Sequence, residues 1–119
     1  MKLTVLDVLK LNDGLNDLSD KELPVSVAFK LESIQSKLST ECENASKVRS
    51  KLIDRYKEED LEDGKVKIKE SEIETFNKEI NELHDQEVNI KLPKIKVEDL
   101  ESIKVKPSTL RKLKKIIES

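Results

Sequence analysis

From residue 23 to residue 59 the chain keeps a single hydrophobic rhythm. Val27, Leu31, Ile34, Leu38, Cys42, Ala45, Val48, Leu52 and Tyr56 recur at spacings of three and four, the period of one face of an α-helix. No other stretch holds a pattern for so long, and a helix of this length limits the architectures open to 119 residues. Leu23 and Pro24 set its start, because proline is tolerated in a first turn, where its missing N–H would have had no intrahelical partner. Running over 24–60, the helix would span about 55 Å at roughly 1.5 Å per residue, longer than the body of a compact domain of this size. Part of it must then project or lie against another chain.

Heptad lettering places Leu31, Leu38, Ala45 and Leu52 at a, and Ile34, Glu41, Val48 and Arg55 at d. Glu41 and Arg55 interrupt that seam, while Cys42 and Tyr56, one residue later, carry the stripe as it drifts around a straight helix. Two arrangements stay open: packing on the shorter helices of the same domain, and assembly with another chain. Leu38, Cys42, Ala45, Val48, Leu52 and Tyr56 are the candidate partner-binding residues, being furthest from where the short elements can cover them. If that face is an interface, Val48→Asp breaks assembly.

Charged residues make up 40% of the chain, and the only aromatics are Phe29, Tyr56 and Phe76. A core must therefore come from Leu, Ile and Val, which suits amphipathic helices. The length fits one domain, 1–119, large enough to bury a core without metal or disulfide. The single cysteine, Cys42, excludes an intrachain disulfide. With a formal net charge of -2 the chain has no overall field to steer it to nucleic acid or to an anionic membrane. No stretch approaches the roughly 20 apolar residues of a membrane span, and residues 3–11, interrupted by Asp7 and Lys10, do not read as a signal peptide. The expectation is a protein that is intracellular where it is made.

A first helix is expected over 4–18, with Thr4 and Asp7 spaced as a capping box; Gly14 inside it argues against continuity, at about 1 kcal/mol relative to alanine. Gly64 stands where a left-handed cap would close the long helix. The region 65–106 reads as strand, helix and strand: Val66 and Ile68 alternate with lysines, Ser71 and Glu74 make a second capping box, and Ile73, Phe76, Ile80 and Leu83 line the helix. Val88, Ile90 and Leu92 alternate again, in a strand expected to pair with the one at Val66 and Ile68. Two further alternating pairs, Ile95 with Val97 and Ile103 with Val105, flank a polar turn at 98–102. A basic helix over 108–118 closes the chain. The fold class is α+β, mostly helical, with one long amphipathic helix, shorter helices and a small antiparallel β element.

Chemistry is sparse. His84 is the only histidine, so neither zinc nor a histidine-rich phosphohydrolase centre can be assembled. Cys42 lies in the hydrophobic stripe between Glu41 and Glu43, an environment that suppresses the thiolate. As a calcium loop, residues 59–70 place Leu61 where an oxygen ligand is required. The two glycines form no phosphate-cradling loop. Arg111, Lys112, Lys114 and Lys115 are the candidate anion or nucleic-acid contacts, but without an aromatic platform or an amide for base edges any such binding is weak and nonspecific. The expectation is a non-enzymatic protein with no cofactor.

The segments KLTVLDVLKLNDGLNDLSDKELPVSVAFKLESI, KVRSKLIDRY, DGKVKIKESEIETFNKEINELHDQEVNIKL and STLRKLKKIIES resemble small uncharacterised proteins encoded by tailed bacteriophages and prophages. The resemblance implies a phage source and a non-enzymatic role and transfers no functional residues. Prefoldin also joins two helices through short strands, but here the second helix is less than half as long as the first, and that likeness is set aside. The expected role is a structural or assembly component of a phage particle, acting through a protein partner or self-association as an oligomer, in the virion or the host cytoplasm. The alternative is a small inhibitor of a host defence protein, with weak nucleic-acid binding by the basic tail ranking last.

Overall fold

The structure is a computed structural model and describes residues 2–101 and 103–118. Ser102, at the end of the expected polar turn, and Ser119 lie outside the described residues. The protein is α+β and mostly helical (66%). In chain order it runs β1 (Lys2–Thr4), α1 (Val5–Leu18), α2 (Val25–Tyr56), β2 (Lys57–Asp60), β3 (Val66–Ile68), α3 (Ile73–His84), β4 (Glu87–Asn89), β5 (Ile95–Lys96), α4 (Pro107–Lys112) and β6 (Ile117–Glu118). Short 3-10 turns fill Glu62–Gly64, Glu70–Glu72, Val97–Leu100 and Lys114–Ile116.

The capping box at the head of α1 forms as its spacing predicts. The Asp7 N–H donates to Thr4 Oγ1 at 3.1 Å, and the Thr4 N–H donates to Asp7 Oδ2 at 3.0 Å. Thr4 is extended, so the residues before it run out as a strand. That strand, β1, pairs antiparallel with β4, Leu3 opposite Val88. Gly14 does not break α1, which is continuous. A Cβ there would meet Leu113 Cδ2 at 2.8 Å, so the glycine is where the C-terminal segment reaches the helix.

The long helix ends at Tyr56, not at residue 60, and is about 48 Å long at roughly 1.5 Å per residue. Carried to residue 63 as helix, Glu58, Glu59, Glu62 and Asp63 would stack like charges one turn apart, which is unfavourable. The chain instead folds back as a hairpin, with Lys57 opposite Ile68 and Asp60 opposite Val66, and Glu58 meets Lys67 at 3.2 Å. At the tip Asp63 and Gly64 have φ of 62° and 75°. Two successive positive φ values are what a tight I′ hairpin turn requires. Gly64 thus turns a hairpin and does not cap α2.

Three further expectations are corrected by the same geometry. The strand at Val66 and Ile68 pairs with its hairpin neighbour, and β4 with the N-terminal strand. Ser71 and Glu74 form no capping box, because a 3-10 turn over Glu70–Glu72 leads directly into α3 with Glu72 at the cap. The expected helix over 108–118 is α-helical only to Lys112, followed by a 3-10 turn at Lys114–Ile116. Past Lys112 both Leu113 and Ile116 must be buried, and the chain tightens and then extends so that Ile117 pairs with Ile95 in a short parallel ladder.

The core joins Val8, Leu11, Leu15 and Leu18 of α1 to Val27, Leu31, Ile34 and Leu38 of α2. Ile95, Leu100, Leu113 and Ile116 close it from the C-terminal side. Ile34 and Leu38 are fully enclosed, each worth about 1.5–3 kcal/mol of apolar burial. The distal half of α2 carries α3 and the hairpin. The radius of gyration is 17.0 Å, against about 13.5 Å for a compact chain of this length, so the long helix gives the molecule an elongated form of 50 × 31 × 22 Å.

Candidate protein-contact surface

The helical stripe is largely used inside the chain. Leu38, Ala45 and Leu52 are buried and Cys42 packs at the edge of the core. Tyr56 is half-buried, its ring edge-on to Phe76 at 6.1 Å between centroids. Its hydroxyl donates to Glu79 Oε1 at 2.8 Å, which pushes the phenol pKa above its ordinary value, with burial adding to the effect. Glu79 Oε2 lies 3.5 Å from Arg55 Nη1. Of the six residues expected to meet a partner, only Val48 is exposed. The others are covered within the chain, because α3 returns along the distal half of α2 and reaches what the short elements were not expected to reach.

Cys42 behaves as a filler: burial, and then the Glu41 charge, push its thiol pKa up. His84 sits half-buried in the last turn of α3.

The four basic residues of the tail are brought together. Arg111, Lys112, Lys114 and Lys115 line one cleft of about 140 Å³ with Lys10, Leu11 and Asp7 of α1. Two of them are engaged by the acidic side of α1. Lys112 Nζ lies 2.8 Å from Asp13 and 3.1 Å from Asp17, and Lys115 Nζ lies 3.6 Å from Asp7. Thr109, itself buried, donates from Oγ1 to Asp17 Oδ2 at 2.9 Å. That bond first, and Lys112 second, hold the Asp17 carboxyl below its ordinary pKa. At Asp7 burial works upward, but hydrogen bonding to Thr4 and the Lys115 charge outweigh it and the net direction is down. Lys10, Arg111 and Lys114 have no ion pair among the described residues and give the cleft its positive character.

Directly beside this cleft, and sharing Lys114 with it, lies an apolar groove of about 500 Å³. Val97, Leu100, Ile103, Val105, Leu110 and Ile117 line it, with Glu101 and Lys114 as its polar members. It exists because the segment after β5 closes the core with Leu100 on one side and leaves its other apolar side chains facing α4. Val97 and Leu110 are exposed at 48% and 42%.

A second apolar feature stands at the head of α2, where Val25 and Phe29 are 86% and 77% exposed. They are one turn apart and, at about 100° per residue, lie across the helix from Val27. The sequence reading missed both the groove and this pair. The signal for the pair was present: a valine and one of three aromatics on the face opposite the core line. Lys30, the next residue, donates to the Lys94 carbonyl at 3.3 Å and meets Asp99 at 3.7 Å, which ties the head of α2 to the segment that builds the groove.

No family model, curated protein or solved structure matches the chain. Among the described residues no helix is long and apolar enough to cross a membrane.

Proposed function

We propose that this chain is a non-enzymatic protein working through protein contacts, and that its place is as a structural or assembly component of a phage particle. The observation that carries the contact reading is the apolar groove bordered by the basic cleft. A continuous apolar depression rimmed by charge is the form that a site for another polypeptide takes. The resemblance of the sequence to small phage-encoded proteins supports the particle as the setting. The test is the composition of particles purified from cells that make this protein. A fixed copy number per particle, measured by quantitative mass spectrometry, supports the assembly role, and absence from particles overturns it.

The alternative is a free modulator of a host protein. The exposed acidic hairpin favours it, since Glu59, Glu62 and Asp63 at its tip form no ion pair among the described residues, and complementary charge speeds encounter with a basic partner. Retention of one host protein by the wild-type chain, and its loss when Glu59, Glu62 and Asp63 are changed to Ser, is the outcome that selects this reading.

A further inference from the structure

Both glycines of the chain follow an aspartate, in Asp13-Gly14 and Asp63-Gly64, and the fold treats the two pairs in opposite ways. Such a step is open to backbone rearrangement, because a glycine has no side chain to shield its nitrogen from the carboxyl carbon of the aspartate before it. In regular backbone that nitrogen does not face Cγ, so ring closure waits on rotation about the aspartate's ψ. The cost of that rotation decides which pair reacts. At Asp13 it is high. The residue lies inside the continuous helix α1, so rotation breaks the hydrogen-bond ladder, and its carboxylate is held 2.8 Å from Lys112 Nζ. Gly14 is buried against Leu113 and Lys112, and moving it opens the contact between α1 and the C-terminal segment.

At Asp63 the cost is low. The residue is exposed at the hairpin tip, already holds a left-handed φ of 62°, and its carboxylate forms no ion pair among the described residues. The bond that closes the turn, from the Lys65 N–H to the Glu62 carbonyl, is long at 3.4 Å. No heavy atom lies within 4 Å of where a Cβ on Gly64 would stand, so rotation there meets no packing. We propose that Asp63 is a site of spontaneous isoaspartate formation and that the fold protects Asp13 from the same reaction. The Gly64 nitrogen adds to Cγ of the protonated Asp63 carboxyl; a C–N bond forms, and the carboxyl hydroxyl leaves with the amide proton as water, giving a five-membered cyclic imide. Water then adds back at either carbonyl. At Cγ it breaks the new bond and restores aspartate. At the former peptide carbonyl it breaks the original Asp63–Gly64 bond, and the chain then runs through Cβ and Cγ. The water lost is regained, so mass and charge are unchanged and no other reactant is needed. The main chain gains a carbon in a turn that needs two successive positive φ values, and the carboxylate hangs directly from Cα. The acidic tip is reshaped at constant charge.

The experiment incubates the full chain at neutral pH in heavy-oxygen water, folded and in urea, and digests it afterwards in ordinary water. Cleavage after lysine releases 58–65 and 11–21 as separate peptides, and electron-transfer fragmentation locates isoaspartate and heavy oxygen in each. In the folded chain isoaspartate carrying one heavy oxygen is expected at Asp63 in at least about tenfold excess over Asp13, because a loop tip opens locally at far lower cost than a core helix. In urea the two positions are expected to react within about twofold of each other, since unfolding removes both environments. An Asp63 that stays unmodified in the folded chain while reacting in urea overturns the proposal, as does a folded chain in which Asp13 keeps pace with Asp63. Isoaspartate without heavy oxygen excludes the imide route and overturns it too, and so does a chain that reacts at neither position in urea.

Discussion

Replacing Gly14 by alanine separates two effects of opposite sign. In an unconstrained helix interior the change stabilises by about 1 kcal/mol, because glycine has the greater backbone freedom to lose. Here the new methyl would stand 2.8 Å from Leu113 Cδ2, 3.0 Å from Leu113 Cγ and 3.0 Å from Lys112 Cβ. Leu113 is fully buried and has no free space to rotate into, and Lys112 Cβ is fixed to the backbone of α4. The C-terminal segment must therefore back away from α1, straining the Thr109–Asp17 and Lys112–Asp13 contacts. Overpacking of this kind costs about 1–3 kcal/mol, and contacts to two rigidly held residues place it near the upper end. The expected net loss is about 1–2 kcal/mol, or about 4–8 °C in Tm for a domain of this length. Thermal unfolding followed by circular dichroism measures it. In a Leu113→Ala background, itself destabilised by about 3 kcal/mol, Gly14→Ala should lose most of its cost, giving a non-additive cycle. A rise in Tm for the single variant would refute the close-packing argument and restore helix propensity as the controlling term.

Val48→Asp should leave stability within about 0.5 kcal/mol, because Val48 is exposed and away from any special contact. Leu38→Ala, at a fully enclosed site, should cost about 2–5 kcal/mol; urea unfolding of both distinguishes the solvent side of α2 from its core side. Gly64→Ala should cost about 1 kcal/mol, read in the same urea titration, through its φ of 75° alone, since no heavy atom stands within 4 Å of the added methyl. The carboxyls of Asp7 and Asp17 are held below their ordinary value of 3.8, so their stabilisation is complete above that pH and is lost as pH falls through the folded-state values. Lys112 is raised above 10.5, so its share is complete below that pH and is lost as pH rises through its folded-state value. Asp17→Asn should flatten the acid limb of a Tm–pH profile and also weaken the alkaline one.

The helical part of the fold was legible wherever a buried face repeats at the helical period. The lines through α1 and α2 locate both helices, and the Thr4–Asp7 box fixes the first start to the residue. Contacts between segments distant in sequence were not legible. Nothing in Lys2–Thr4 alone reveals that its partner is β4, and nothing near Gly14 reveals Leu113. The glycine was therefore read for its local cost, when its place is explained by a neighbour ninety-nine residues later. The hairpin is a different case. Asp63-Gly64 is a strong turn signal for a two-residue hairpin, but periodicity from the helix side carried the assignment past Tyr56. Like-charge crowding at 58–63 was the local evidence that the helix could not continue.

The site was hidden by the same logic that exposed the core. A search for the longest apolar line finds residues that satisfy one another, and in this chain that line is mostly closed by α1, α3 and the C-terminal segment. The apolar residues left exposed interrupt the pattern: Val25 and Phe29 stand on the side of α2 away from the core, and Leu110 is exposed while Leu113 and Ile116 nearby are enclosed. The groove is less accessible still to sequence reasoning. Its walls come from Val97, Leu100, Ile103 and Val105 on one side and Leu110 and Ile117 on the other, segments that the ladder between Ile95 and Ile117 helps to bring together. An apolar residue that breaks the periodicity of its own element, in a chain so poor in aromatics and so rich in charge, is thus a better indicator of an exposed apolar surface than the continuous stripe that first draws attention.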